Sequence, residues 1–158
     1  MGNRRRAREL AMQVLFQMDI TGDRSSEAVE LFCRHFEVSR KAKPFFDQLV
    51  TGVLAYRDEL DRLIEQFSDN WKLSRMSGMD RNIMRVAVYE LIYCEDIPPK
   101  VSINEAIDIG KKYGTQHSAA FINGILDGIN IFLSKKKTTP PVTDSTSPSS
   151  EPFSEPVE

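Results

Sequence analysis

Apolar residues recur along this chain at the three- and four-residue intervals of an α-helix, and no stretch alternates convincingly with period two. Ala7, Leu10, Ala11, Val14, Leu15 and Met18 form the first stripe, and Gly22 marks its end. Val29, Phe32, Cys33 and Phe36 form a second, opened by Ser25 or Ser26. A third follows Ser39 and carries Phe45, Phe46, Leu49, Val50, Val53 and Leu54; a fourth carries Leu60, Leu63, Ile64 and Phe67. Short connections between these four predict a first small bundle of antiparallel neighbours. Residues 68–75, which hold the only tryptophan, Trp71, read as a hinge.

A fifth stripe, Ile83, Val86, Ala87, Leu91 and Cys94, is stopped by Ile97-Pro98-Pro99. Ser102 and Glu105 stand at capping-box spacing and predict a sixth helix that opens there and runs to Lys112, before Tyr113-Gly114. Thr115 or Ser118 caps a seventh, with Phe121, Ile122, Ile125, Leu126, Ile129 and Leu133 facing inward. The expected fold is all-α: one domain over residues 1–137, of about seven helices in two subdomains near 1–70 and 71–137. From residue 138 the chain is Pro, Ser, Thr and acid, with only Val142, Phe153 and Val157 apolar. Such a stretch buries too little surface to offset its ordering entropy, so a disordered tail is expected over 138–158.

Charge alters this picture at the two ends. The formal net charge is −2, yet no basic residue follows Lys137, while Asp144, Glu151, Glu155 and Glu158 are all acidic. Without those four carboxylates, 21 basic residues face 19 acidic ones, a net of +2. The positive charge gathers at Lys111, Lys112, Lys135 to Lys137 and above all at Arg4, Arg5, Arg6 and Arg8. Four arginines at the start of an amphipathic helix oppose the helix dipole, whose N-terminal end already carries partial positive charge. Either this is a solvated terminus, or an anion visits it; a guanidinium fork matches phosphate geometry.

Catalytic chemistry finds no constellation. His35 sits two residues from Cys33, a poor helical spacing for a metal pair, and Gly110-Lys111-Lys112-Tyr113-Gly114 lacks the flanking residues of a phosphate loop. No enzymatic activity, cofactor or metal is therefore expected. Glu90 falls beside the fifth apolar stripe and reads as a partly buried structural carboxylate rather than a general base; Asp80 reads as a first-turn acid after Ser77. Gly124 and Gly128 imply close approach of a neighbouring helix. Cys33 and Cys94 have no ligand spacing and read as reduced, partly buried thiols. The N-terminus lacks a secretory apolar core and no apolar run approaches the ~18 residues of a membrane span, so a cytoplasmic location is expected.

Met79 to Leu91, the run Ile97-Pro98-Pro99-Lys100-Val101-Ser102-Ile103-Asn104-Glu105-Ala106, and Phe121-Ile122-Asn123-Gly124-Ile125-Leu126-Asp127 together resemble the NusB family of transcription antitermination factors. So does Arg5-Arg6-Ala7-Arg8-Glu9-Leu10-Ala11-Met12-Gln13-Val14-Leu15-Phe16 at the other end, and the resemblance runs from residue 3 to about 133 in register. It implies an all-helical protein that binds single-stranded boxA RNA in ribosomal RNA leader transcripts. It also implies the partner NusE, a ribosomal small-subunit protein, and a larger complex with NusA, NusG and RNA polymerase. Carried over by position, Arg4, Arg5, Arg6 and Arg8 match the arginine-rich RNA contact, and Lys112, Tyr113, His117, Ser118 and Phe121 match or flank a second one. The two must meet in the fold to form one surface. Phe16 and Asp80 correspond to the NusE contact, with core aromatic and helix-start acid as their alternative readings. A homodimer that masks the RNA surface also belongs to the family's repertoire.

One departure stands out. Gln116-His117 occupies a place where the family often has an acidic residue before the serine, and a histidine there favours phosphate at low pH and shifts base preference. Two other readings remain: a helical protein-interaction module with RNA secondary, and a NusB-like domain of a ribosomal RNA methyltransferase. The latter is not expected, because only a short polar stretch follows residue 137.

Overall fold

The computed structural model describes residues 2–69 and 71–138, with backbone alone at 137 and 138; the tail expected to be disordered lies outside these from 139 onward. Seven α-helices and one 3-10 turn make up the described residues, without strands: α1 (Gly2–Thr21), α2 (Ser26–His35), α3 (Lys43–Ala55), α4 (Arg57–Gln66), the turn Leu73–Arg75, α5 (Gly78–Tyr93), α6 (Pro99–Tyr113) and α7 (Ser118–Thr138). Each apolar stripe read from the sequence lies on one of these helices, with Phe36, Phe67 and Cys94 as the C-caps of α2, α4 and α5.

The helix ends have local causes. Gly22 closes α1 with a positive φ of 79° and donates its N–H to the Met18 carbonyl at 2.8 Å, a left-handed cap that costs glycine no side-chain clash. Ser25 caps α2 through Ala28 N–H, and Ser77 caps α5 through Asp80 N–H at 3.0 Å. The expected capping box at Ser102 and Glu105 is absent. Pro98 precedes the first turn of α6 and Pro99 starts it, a position that lacks nothing by having no N–H. Ser102 and Glu105 sit inside the helix and reach sideways to other elements.

The apolar faces close around α5, which touches α1, α3, α4, α6 and α7. Phe46, Leu10, Met12, Leu49, Leu60, Ile64, Met84, Ile122, Leu126 and Ile129 are each fully buried. Burial of such side chains contributes roughly 1.5–3 kcal/mol each relative to exposure. Gly128 lets α7 approach Phe67 of the α4 end, since a Cβ would stand 3.0 Å from its ring; Gly124 faces open space and has no such reason. Because its surroundings are protein on nearly every side, α5 also buries Asn82, Arg85 and Glu90. These polar groups need partners there, and α1 supplies them: Arg8 for Glu90 near one end, Asp19 for Asn82 and Arg85 near the other. The order of these pairs makes α1 and α5 antiparallel.

Cys94 is buried and Cys33 half-buried, and both are free thiols. Burial pushes the Cys94 thiol up to about 11, with Glu90 and Asp96 adding to the shift.

Candidate nucleic-acid and partner interface

The four arginines of α1 are not equivalent. Arg8 is buried, its side chain 5% exposed against 1% for Glu90, and grips that carboxylate with two bonds of 2.8 and 2.9 Å. A third N–H reaches Glu105 at 3.2 Å, and Ser102 donates to the same Glu90 at 2.7 Å. Glu90 is thus a structural carboxylate, as its place in the stripe suggested, and its donors are the Arg8 and Ser102 side chains. Arg5 lies one turn out, held by Glu105 through two bonds of 2.6 Å and by Asp108 at 2.9 Å. The Arg5 hydrogen bond holds the Glu105 carboxyl below its ordinary range against a partial opposing effect of burial.

Arg4 and Arg6 are exposed. Arg4 lies over the Phe45 ring, 4.7 Å from its centroid, and meets Asp96 at only 3.5 Å. Arg6 shares Glu9 with Lys112 and Tyr113, at 3.2, 3.1 and 3.4 Å respectively. Glu9 is itself buried. The Glu9 hydrogen bond raises the Lys112 ammonium above its ordinary value, so it stays fully charged. This clasp joins the start of α1 to the end of α6, and with it the two regions that the sequence places about a hundred residues apart.

Beyond Tyr113 the chain turns into α7 through Gly114, where any Cβ would strike the Ser118 side chain. Ser118 is buried, and its Oγ accepts the Thr115 N–H at 2.9 Å. His117 beside it is exposed, 3.3 Å from the Gln116 amide. Phe121 is half-buried against the core. Two of the expected contact residues, Arg8 and Ser118, are buried and hydrogen-bonded to their neighbours. Arg4, Arg5, Arg6, Lys112, Tyr113 and His117 keep accessible surface, with an edge of Phe121.

The expected partner residues also come together. The Phe16 ring covers Gly78 so closely that a Cβ there would clash, placing Phe16 at the start of α5, two residues from Asp80. Asp80 is 9% exposed, and its Oδ1 is the one buried side-chain oxygen or nitrogen among the described residues without a hydrogen-bond partner. Next to it runs an apolar groove of about 440 Å³ between α1, α2 and the Met79 side chain, with Phe16, Ile20 and Phe36 on its walls. Ile20 is 69% exposed there. Tyr113 lines the groove while its hydroxyl joins the Glu9 clasp, so the basic surface and the apolar groove adjoin.

Sequence reasoning missed the acids of this site: Glu9, Asp96, Glu105 and Asp108. The available signal was the arginine cluster itself, since cations set against a helix dipole and without acids on their own first turn require carboxylates from elsewhere. No group of three metal-binding side chains and no helix long and apolar enough to cross a membrane occurs among the described residues.

A family profile for the NusB family matches residues 5–130. The transcription antitermination protein NusB of Desulfatibacillum aliphaticivorans is 56% identical over 137 residues, covering 87% of this chain and 96% of that protein. Its counterpart from Bacillus subtilis is 47% identical over 126 residues, covering 80% and 93%. Among solved structures, T. maritima NusB superposes with a TM-score of 0.75 at 38% identity, over 81% of this chain and 90% of that one. A chain from a complex of antitermination factors NusB and NusE with double-stranded RNA superposes with a TM-score of 0.76 at 26% identity, over 84% and 98%. The all-helical architecture, the extent of the match and the identity to these relatives agree: the chain belongs to the NusB family.

Proposed function

We propose that this protein is a transcription antitermination factor that holds single-stranded boxA RNA of ribosomal RNA leader transcripts together with NusE. Through that pair it joins NusA, NusG and RNA polymerase. It acts by binding, with no catalytic step and no cofactor. The observation that carries this reading is the Glu9 clasp, which assembles one cationic surface from Arg6 and Lys112 and sets it against the apolar groove at Tyr113. Arginine and lysine neutralise phosphates, and Arg planes, Tyr113 and the exposed edge of Phe121 offer stacking faces for unpaired bases. Arg5 is the intermediate member, since phosphate competes with Glu105 and Asp108 for its guanidinium. Arg8 and Ser118 position the surface from beneath.

The groove is the NusE side of this reading. Phe16, Ile20 and Phe36 give it apolar anchors, and Asp80, one residue from its Met79 wall, lies largely buried behind it. A NusE relative of this kind occurs with NusB and RNA in the complex of the similar protein.

The test is a salt titration of boxA RNA binding with NusE present and a scrambled strand as control. The logarithm of affinity should fall by about 0.7 per phosphate neutralised for each unit of log salt. A flat response, or no binding with NusE present, would leave a protein-interaction module in place of an RNA-binding factor; equal affinity for the scrambled strand would leave RNA binding and remove boxA specificity.

A further inference from the structure

A cavity of about 710 Å³ opens beside the outermost arginine, between the start of α1 and the connection into α6. Its size falls in the range of roughly 300–1,000 Å³ typical of small-molecule sites. Ile97, Pro98 and Val101 form apolar walls from the connection into α6, and Val101 stands 43% exposed within it. Asn104 contributes an exposed amide that both donates and accepts. At its rim Arg4 and Asp96 face each other at 3.5 Å, with side chains 51% and 71% exposed. A long, exposed ion pair of this kind is weak and exchanges readily for other partners.

We propose that this pocket takes a single unstacked guanine of the bound RNA strand; the inference rests on the RNA-binding reading above and extends it to base identity. Single strands are read by splaying a base onto a wall and bonding its edge. Apolar walls suit the face of any base, so identity must come from the polar rim. A guanidinium only donates and a carboxylate only accepts. Guanine alone offers both what Arg4 needs, the O6 and N7 acceptors, and what Asp96 needs, the adjacent N1–H and N2–H₂ donors. Adenine presents the N1 lone pair where Asp96 would accept, and uracil and cytosine place a carbonyl or ring-nitrogen acceptor beside their donors. The pocket adjoins Arg5, so a strand held on the cationic surface delivers its bases to this mouth without a further binding step.

The experiment measures binding, with NusE present at low salt, of oligouridine strands about a dozen nucleotides long with a single central guanine, adenine, cytosine or inosine. The guanine strand should bind about tenfold more tightly than the adenine strand, with inosine, which lacks the N2 amino group, between them. In Asp96→Asn the guanine-to-adenine ratio should fall toward one, and in Val101→Trp, which fills the pocket, it should do the same. The ratio within each variant is the readout, so a general change in affinity does not enter. Equal affinity for all strands with a steep salt dependence would overturn the guanine pocket and leave the RNA-binding reading standing. A guanine preference that survives both substitutions would overturn it too, and failure to bind of every strand and of boxA RNA measured beside them would overturn both readings.

Discussion

Helix α1 is charged against its dipole at both ends, and the two ends resolve the conflict differently. Arginines occupy its first turns, and Asp19 occupies its last, where the partial charge is already negative. At the Asp19 end the solution is closed. One carboxylate takes Arg57 at 3.0 Å, Arg81 at 3.2 Å, Arg85 at 3.0 Å and the Asn82 amide at 2.9 Å, while Asp61 pairs with Arg85 at 2.7 Å. At the other end Arg8 is equally committed, but Arg4 and Arg6 remain outside, Arg4 against the exposed Asp96 and Arg6 sharing Glu9 with Lys112. Opposed charge is thus a device for fastening elements together at one end. At the other, an inner fastened layer supports an outer layer free to meet an anion.

The largest expected effect tests the inner layer. Arg8→Ala leaves Glu90 buried with only Ser102 as donor, and should destabilise the fold by about 4 kcal/mol, measured by denaturant unfolding. A loss below ~1 kcal/mol would mean that Arg8 is not a fastening residue. At the other end Asp19→Ala should cost about 3 kcal/mol, since it leaves the buried Arg85 with Asp61 as its one remaining carboxylate, beside the Asn82 amide oxygen. RNA affinity of the folded Asp19→Ala protein should not change; a marked drop would join the two ends that the structure separates.

The Asp19 end should also carry an acid signature. Burial pushes its carboxyl up, but the Asn82 hydrogen bond and the charges of Arg85, Arg57 and Arg81 outweigh burial and hold it below its ordinary value of 3.8. A depressed carboxylate contributes stability that is present above the unfolded value and lost as pH falls through the folded one. Wild type should therefore lose stability between about pH 5 and pH 2 more steeply than Asp19→Asn. Parallel curves would remove Asp19 as a source of acid sensitivity.

The outer layer should respond in the opposite sense. Arg4→Ala with Arg6→Ala should change stability by no more than about 0.5 kcal/mol, because Asp96 is exposed and Lys112 still holds the buried Glu9. The same double variant should weaken RNA binding about tenfold at moderate salt and flatten the salt slope by more than one unit. Stability loss without an RNA effect would move Arg4 and Arg6 into the fastening class.

What the sequence reveals of all this follows from the range of each interaction. Helix stripes and the caps at Ser25, Ser77 and Gly22 are local, so spacing alone exposes them. The Ser102–Glu105 pair satisfies the same local pattern as a capping box, yet both side chains answer to residues 12 and 100 positions away, Glu90 and Arg5. Pro98-Pro99 reads as a stop for one helix and is equally the start of the next. Asp19 carries only the local mark of a carboxylate set against the helix dipole, and nothing near it names its partners, which lie 38 to 66 residues on. The arginine cluster was legible as an anomaly. Which arginines stay outside depends on the lateral distance from α5, and no pattern within α1 encodes that.

The smallest expected effect falls at His117, in the turn that leads into α7. His117 is exposed, and its backbone N–H is already held by Thr115 Oγ1 at 3.2 Å, so the turn does not depend on its side chain. His117→Asp should leave the unfolding midpoint unchanged and weaken RNA binding a few-fold, since a carboxylate beside the Lys112 surface opposes phosphate while accepting base N–H groups. The sharper measure is selectivity: among single-base variants of boxA, the ranking should change in His117→Asp more than the mean affinity does. A uniform loss across all variants would make His117 a simple electrostatic neighbour. Loss of thermal stability with intact RNA binding would place it with Arg8 in the fastening layer, where its exposure says it does not belong.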